Sequence, residues 1–476
     1  MNFSLSLFIP ETLTLIFSAI VFFMTLFKKE TIEKTLHPFM IFCALVLAAG
    51  SFYSIRFHGT LFYDSYKVDL LSQGFKFILS IAFLLTVLFS EKPISIGQAR
   101  RVEYFLFLLS STLGMMMIVS SVNLLMLYLA LELSSYSLYL LSALRQDSRT
   151  AEASVKYIIF GAAASGVMLW GFSLITGLSG TISLFEIAKN IPTLILEPIF
   201  LVGLLFASFA FLFKLSGFPA HFWAPDVYES AATPVTNFIA TASKAAAVAI
   251  LIRIFMVMGV PPKFVTILGV LAFISMTLGN CVALVQQDVK RLLAYSSIAQ
   301  AGYILVGLLS GSAEGYSSGF FYAFAYVLMN AGAFLAVILV AQALDHDNPQ
   351  ISHFDGLAER SPFLSLLLLL SLLSLAGIPP LVGFTGKWIL FSAAMDKGHW
   401  FLVLWGVINS VVSLFYYLTI VKHAYLEKPK NTAPIILNFT TRVLGLALFC
   451  ALVFLGIFPN TFIRFAQQAI SASGLL

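Results

Sequence analysis

Apolar runs about as long as one bilayer crossing, separated by short polar stretches, recur from one end of this chain to the other. A crossing needs roughly 20 apolar residues. Runs of that size occupy about 7–27, 38–55, 69–90, 104–120, 121–144, 154–178, 195–216, 233–258, 263–286, 291–310, 316–343, 363–395, 399–424 and 441–462. They predict an all-α membrane protein of about fourteen transmembrane helices. The tightest division is the turn at Ser120-Ser121-Val122-Asn123, and the run 363–395 is too long for one straight span.

Two runs are interrupted alike, at Leu215-Ser216-Gly217-Phe218-Pro219 and at Leu375-Ala376-Gly377-Ile378-Pro379-Pro380, 160 residues apart (377 minus 217). Proline removes a backbone donor and clashes with the preceding turn, and glycine permits the break, so the freed carbonyls need water or protein partners. Gly217, Pro219, Gly377, Pro379 and Pro380 are therefore expected to break helices 7 and 12 beside polar cavities. The chain then divides into helices 1–3 (1–95), a first five-helix repeat of helices 4–8 (96–258), a second of helices 9–13 (259–424) and helix 14 (425–476). An odd number of spans inverts the second repeat. Paired broken helices in inverted repeats point to an ion pathway at mid-membrane; the plainer alternative is that proline kinks are common in membrane helices.

Composition agrees: 60% of residues are hydrophobic and 10% charged, with 47 Phe and a mean hydropathy of +0.96. Soluble chains are about 25% charged, so soluble folds are excluded. Fourteen spans would use about 280 positions, which leaves little for an extramembrane domain. The net charge of +5 mostly reports topology rather than nucleic-acid binding. Lys28, Lys29, Lys34, Lys92, Arg100, Arg101, Arg145, Arg149, Lys290, Arg291, Arg360, Lys422, Lys428 and Lys430 fall in one set of alternate loops. Arg56, Lys67, Lys189, Lys263, Lys397 and Arg464 fall in the other. The richer set is expected in the cytoplasm, with both termini on the far side. The first ten residues lack a basic stretch and a cleavage site, so the first run is expected to be retained. Cys43, Cys281 and Cys450 each stand alone, so no disulfide framework or iron–sulfur ligand set is expected.

Charge inside lipid is the main candidate chemistry. A Lys or Asp at a helix centre costs roughly 2.5 to 3.5 kcal/mol, so a fold keeps one when something offsets that cost. Glu132, Lys156, Lys214, Lys244 and Lys387 lie within the runs, with Lys76, Glu197, Arg253 and Arg442 nearer their ends. Glu132 is too deep for its short side chain to reach water, so it either pairs or is protonated; it is a proton carrier or a hydrogen-bonding link between helices. Lys244 has small neighbours that let other helices approach. Lys214 precedes the first break by three residues and Lys387 follows Pro380 by seven, so both border the expected cavities. Burial disfavours an ammonium and a nearby carboxylate favours it, so a moving neighbour could load and unload such a lysine. A permanently charged structural lysine is the alternative for each. Lys156 follows Glu152 by four residues, where an i,i+4 pair or snorkelling would also explain it. His221, just after the first break, is either a proton relay or a hydrogen-bonded loop histidine. The sequence has no phosphate loop, no dinucleotide fingerprint and no haem histidine pair, which excludes ATP-driven or directly NADH-binding function.

The stretch Phe213-Lys214-Leu215-Ser216-Gly217-Phe218-Pro219-Ala220-His221-Phe222-Trp223-Ala224-Pro225-Asp226-Val227-Tyr228-Glu229, with Thr233-Pro234-Val235-Thr236 and Ser243-Lys244, resembles the antiporter-like membrane subunits of respiratory complex I, the proton-translocating NADH-quinone oxidoreductase. Gln287-Asp288-Val289-Lys290-Arg291-Leu292-Leu293-Ala294-Tyr295-Ser296-Ser297 and the second break through Gly386-Lys387 carry it further. The Pro-Asp-Val-Tyr-Glu and Ser-Lys-Ala stretches resemble subunit N more than subunits L or M. The likeness covers nearly the whole chain and is weakest over the first 95 residues.

The resemblance implies a fourteen-helix subunit whose inverted repeats form linked half-channels, with Glu132 matching the helix 5 glutamate and Lys156, Lys214, Lys244 and Lys387 a central line of lysines. It also implies that FMN, iron–sulfur clusters and quinone belong to partner subunits of the membrane and peripheral arms, in a bacterial cytoplasmic membrane. Quinone reduction elsewhere would then alter the Glu132–Lys214 separation and push a proton through Lys244 toward Lys387. A sodium/proton antiporter subunit and a non-conducting structural subunit are the competing readings.

Overall fold

The computed structural model describes residues 5–26, 29–91, 94–429 and 433–473. A 3-10 turn, Leu5–Phe8, leads into α1 (Ile9–Met24) and α2 (Lys29–Ser54). A two-stranded antiparallel hairpin follows, β1 (Gly59–Leu61) and β2 (Tyr66–Val68). Then come α3 (Leu70–Phe89), α4 (Arg101–Ser120), α5 (Leu124–Ser142), α6 (Ser148–Ser179), the short α7 (Leu184–Lys189) and α8 (Ile191–Leu194), and α9 (Pro198–Leu215). Beyond the first break lie α10 (Trp223–Ser230), α11 (Thr233–Phe238), a π-turn (Ile239–Ser243) and α12 (Lys244–Met258). The second half holds α13 (Pro262–Ala283), α14 (Val289–Leu308), α15 (Ala313–Leu344), α16 (Leu357–Arg360), α17 (Pro362–Ala376), α18 (Val382–Asp396), α19 (Trp400–Leu426), α20 (Phe439–Ile457) and α21 (Asn460–Ser471).

The structure is an all-α membrane protein. Among the described residues, twelve helices are long and apolar enough to span a bilayer, and each coincides with one of the fourteen expected runs. The other two runs take different forms. Val289–Leu308 has the length but carries Lys290, Arg291, Gln300 and several hydroxyls, and the run 363–395 is split into α17 and α18 of 15 residues each. Two further features were not expected: the hairpin at 59–68, and α21, which Pro459 divides from α20, so that the last apolar run ends at Ile457 rather than 462.

Helix starts follow from capping side chains, which accept from amides that have no partner within the helix. Asp69 caps α3 through Ser72 N at 2.8 Å, Asn123 caps α5, Asp147 caps α6 through Thr150 N at 2.7 Å, and Asp288 caps α14 through Arg291 N at 2.9 Å. Asp347, in a loop, caps α11 by accepting from Thr233 Oγ1 at 2.6 Å and Thr233 N at 3.4 Å. The span Thr233–Met258 is buried along its whole length, whereas Phe439–Ile457 is mostly exposed. The polar chemistry therefore gathers around α12, α14 and α15, with apolar faces outside.

Candidate functional site: a buried line of ammonium groups

Both breaks form in the same way. α9 ends with Ser216 in the left-handed region (φ 61°) and the Gly217 amide bonded to Leu212 O at 2.8 Å. α17 ends with Gly377 at φ 89° and the Ile378 amide bonded to Leu373 O at 3.0 Å. Each is a Schellman termination. The left-handed residue at the first break is Ser216, one before Gly217, so the two left-handed positions correspond at a spacing of 161 (377 minus 216). The bonds Phe218–Pro219 and Pro379–Pro380 are both cis.

Lys214, 5% exposed, is the penultimate residue of α9 and donates to Ser134 Oγ at 2.8 Å and Ser135 Oγ at 3.4 Å on α5. Glu132 lies on the same helix within electrostatic reach of Lys214. Its Oε1 is buried without a hydrogen-bond partner, and the two groups are not in ion-pair contact. Lys244, 2% exposed, opens α12 directly after the π-turn and donates to Ser297 O on α14 at 3.1 Å. Lys387, 4% exposed, lies on α18 and donates to the freed carbonyls of its own break, Leu375 O at 2.9 Å and Ala376 O at 3.0 Å, and to Ser410 Oγ at 2.9 Å. Its ammonium also stands 4.5 Å from the centre of the Tyr303 ring, a favourable cation–π contact.

α14 joins these groups. Ser297 receives Lys244, and Gln300, three residues on, donates to Leu375 O at 3.0 Å, the same carbonyl that Lys387 holds. Tyr322 OH donates to Gln300 Oε1 at 2.5 Å, and Asn280 reaches Tyr303 OH and Asn409 O at 3.0 and 3.1 Å. Ser216 Oγ, Ser243 Oγ and Tyr326 OH are buried along this axis without partners among the described residues. Buried polar atoms are nearly always bonded to protein or water, so the axis is suited to hydration. Sequence reading missed Gln300, Tyr303, Tyr322 and Asn280 because it searched for charge; a Gln or Asn in mid-span was the signal available.

Lys156 and His221 lie apart from this line. The Lys156 side chain is 41% exposed and pairs with Glu152 and Asp226, both at 2.9 Å. Arg291 continues the cluster, reaching Asp226 at 2.9 Å and Glu229 at 2.8 Å. Glu152, Lys156, Asp226 and Glu229 line a cleft of about 710 Å³ together with Arg145, Asp147, Arg149, Asp288 and His346. Burial works against ionisation of Asp147, but the amide and hydroxyl of Thr150 and the Arg145 guanidinium outweigh it and hold the carboxyl below its usual range. Burial raises Asp288 in spite of Lys290. His221 is 4% exposed, with Nδ1 lacking a partner, and borders a smaller cavity of about 320 Å³ shared with Asp226 and Arg291. It thus stands between the first break and the charged cleft.

Cys43, Cys281 and Cys450 are free, and no group of three or more His, Cys, Asp or Glu side chains that could hold a metal is found among the described residues.

Residues 121–413, which contain Glu132, Lys156, Lys214, His221, Lys244 and Lys387, match the family model described as NADH:quinone oxidoreductase/Mrp antiporter, TM. A curated relative from Syntrophobacter fumaroxidans, NADH-quinone oxidoreductase subunit N 2, is 44% identical over 98% of both chains. The chain belongs to the NADH-quinone oxidoreductase subunit N family. Among solved structures, this chain is similar to one in respiratory complex I from Thermus thermophilus (TM-score 0.82, 30% identity, 96% of this chain and 99% of that one). It is also similar to one in the membrane-bound sulfane sulfur reductase, an archaeal respiratory membrane complex (TM-score 0.89, 25% identity, 98% of each).

Proposed function

We infer that this chain is a proton-translocating membrane-arm subunit of an NADH-quinone oxidoreductase, and that Glu132, Lys214, Lys244 and Lys387 carry the proton. The observation that supports this best is the continuous contact of Lys244 and Lys387 through α14, with Lys214 at the first break. Lys214 rests on serine hydroxyls beside Glu132 without touching it, so a change in field from the quinone-reducing module can close or open that gap. Closing it pairs the charges; opening it sends the proton toward Lys244, Ser297 and the Leu375 carbonyl that Lys387 shares. His221 and the cleft around Lys156 and Asp226 provide access on one side.

The chain divides in this reading into helices 1–3 (1–95), repeats at 96–258 and 259–424, and a C-terminal part (425–476). The matched terminations at Ser216 and Gly377 support two repeats. The gathering of Arg145, Arg149, Lys290 and Arg291 at the cleft end supports a cytoplasmic placement of that end, with both termini across a bacterial cytoplasmic membrane. Flavin, iron–sulfur and quinone sites belong to partner subunits. In the assembled complex, Lys244→Met, Lys214→Ala and Glu132→Ala should each lower protons pumped per NADH oxidised; normal pumping with intact assembly would overturn the assignments. Copurification with antiporter subunits alone, without redox activity, would move the same residues to a cation/proton exchange path.

A further inference from the structure

The least family-like part of the chain holds a second set of fully buried charges. Glu11 on α1 pairs with Lys76 on α3 at 2.8 Å, both 0% exposed, and Tyr66 OH donates to Glu11 Oε1 at 2.5 Å. Two turns earlier, Asp69 at the start of α3 takes a two-pronged contact from Arg253 of α12, Nη1 to Oδ2 at 3.0 Å and Nη2 to Oδ1 at 2.9 Å. Arg253 is 0% exposed and also donates to Val119 O at 3.1 and 3.2 Å. Asp69, Gln73 and Lys76 follow an i, i+4, i+7 spacing, so they share one face of α3.

Gln73 stands between the two ion pairs, 0% exposed, and neither its amide oxygen nor its amide nitrogen has a partner. Glu11 Oε2, on the side of the carboxylate away from Tyr66, is buried and unpaired as well. An amide has two donor and two acceptor positions, and leaving such a group dry forfeits its desolvation cost with nothing in return. A polar space with several convergent partners is where internal water is held.

We propose that the Asp69–Gln73–Lys76 face of α3 holds internal water and forms, with Glu11, Tyr66 and Arg253, a second proton-exchanging site in the N-terminal helices. One proton leaves the Lys76 ammonium and is taken by the Glu11 carboxylate, giving a neutral amine and a neutral acid with no change in net charge and no co-reactant. Water on Gln73 links this pair to the Asp69 carboxylate and so to α12, nine residues from Lys244 (253 minus 244) or roughly 14 Å along the helix. The titratable groups facing it are Glu11, Tyr66, Asp69, Lys76 and Arg253, with Lys67 on the adjoining strand bonded to Ser473 O at 2.6 Å. The site rests on the proton-translocating reading and extends it to the hairpin end of the molecule.

The test uses the assembled complex, with Lys244→Met as the reference. A high-resolution map of the wild type is expected to show water within hydrogen-bond distance of the Gln73 amide. Gln73→Leu, which keeps both ion pairs, is expected to lose that water and slow pumping per NADH by about tenfold, the effect of a ~1.4 kcal/mol barrier change. A dry Gln73 in the wild type, or wild-type pumping in Gln73→Leu while Lys244→Met fails to pump, overturns the proposal alone. Normal pumping in Lys244→Met overturns the functional reading and the exchange role with it. Should Gln73→Leu not assemble, the paired variant Glu11→Gln with Lys76→Met takes its place, and unchanged pumping there is equally fatal.

Discussion

Gly377 and Lys387 constrain each other. At φ 89° a side chain is strained, and a Cβ there would lie 3.0 Å from Lys387 Cδ. Gly377→Ala should cost about 1–2 kcal/mol from the left-handed backbone and displace the ammonium from Leu375 O and Ala376 O. Lowered thermal stability together with reduced pumping would show both effects; pumping like the wild type would mean that Lys387 does not need those carbonyls. Arg253 offers a second test, because removing one member of a buried pair strands the other charge, at about 3–5 kcal/mol. Arg253→Leu should therefore reduce folded protein sharply, and adding Asp69→Leu should restore much of it, as measured by yield and melting of the detergent-solubilised complex.

At the level of the helix, the π-turn Ile239–Ser243 matters most, since it inserts a surplus residue directly before Lys244. Such bulges often mark functional positions. Deleting Ala240 should close the bulge into regular helix and remove the widened turn that sets Lys244 against Ser297. Pumping should then fail while assembly persists; preserved pumping would show that the turn is incidental. Asp147 is a stability test of a different kind: Asp147→Ala should cost about 1 kcal/mol as a lost N-cap. Its carboxyl is held below the usual range, so this contribution is complete above about pH 4 and fades as pH falls through the lower folded value. The melting difference between variant and wild type should shrink accordingly. Sequence reading found the helices because lipid demands unbroken apolar length, and it found both breaks because proline is visible. It did not find the π-turn, which has no residue signature, nor the Ser216 position, where a non-glycine residue takes the left-handed turn. The lysines were legible as isolated charges, whereas their partners were not, because carbonyls such as Leu375 O and Ser297 O are invisible in a sequence.

Across the whole molecule, charge is sorted by depth. The mixed cluster of Lys156, Asp226, Glu229 and Arg291 opens to a cleft, single ammonium groups occupy the middle, and two closed ion pairs lie under the hairpin. The separation of Lys156 from the buried line follows from this arrangement, since a half-exposed, doubly paired ammonium has little reason to release its proton at mid-membrane. The first 95 residues, where motif likeness was weakest, still carry buried charges as costly as those of the repeats. Lys387 has one more consequence. Its ammonium fastens the loose ends of the helix break beside it, so a proton leaving that nitrogen also unfastens two carbonyls. Charge and shape are therefore tied at this point: the occupancy of one nitrogen should be readable as the stiffness of the Gly377 junction, and amide exchange there should rise and fall with turnover.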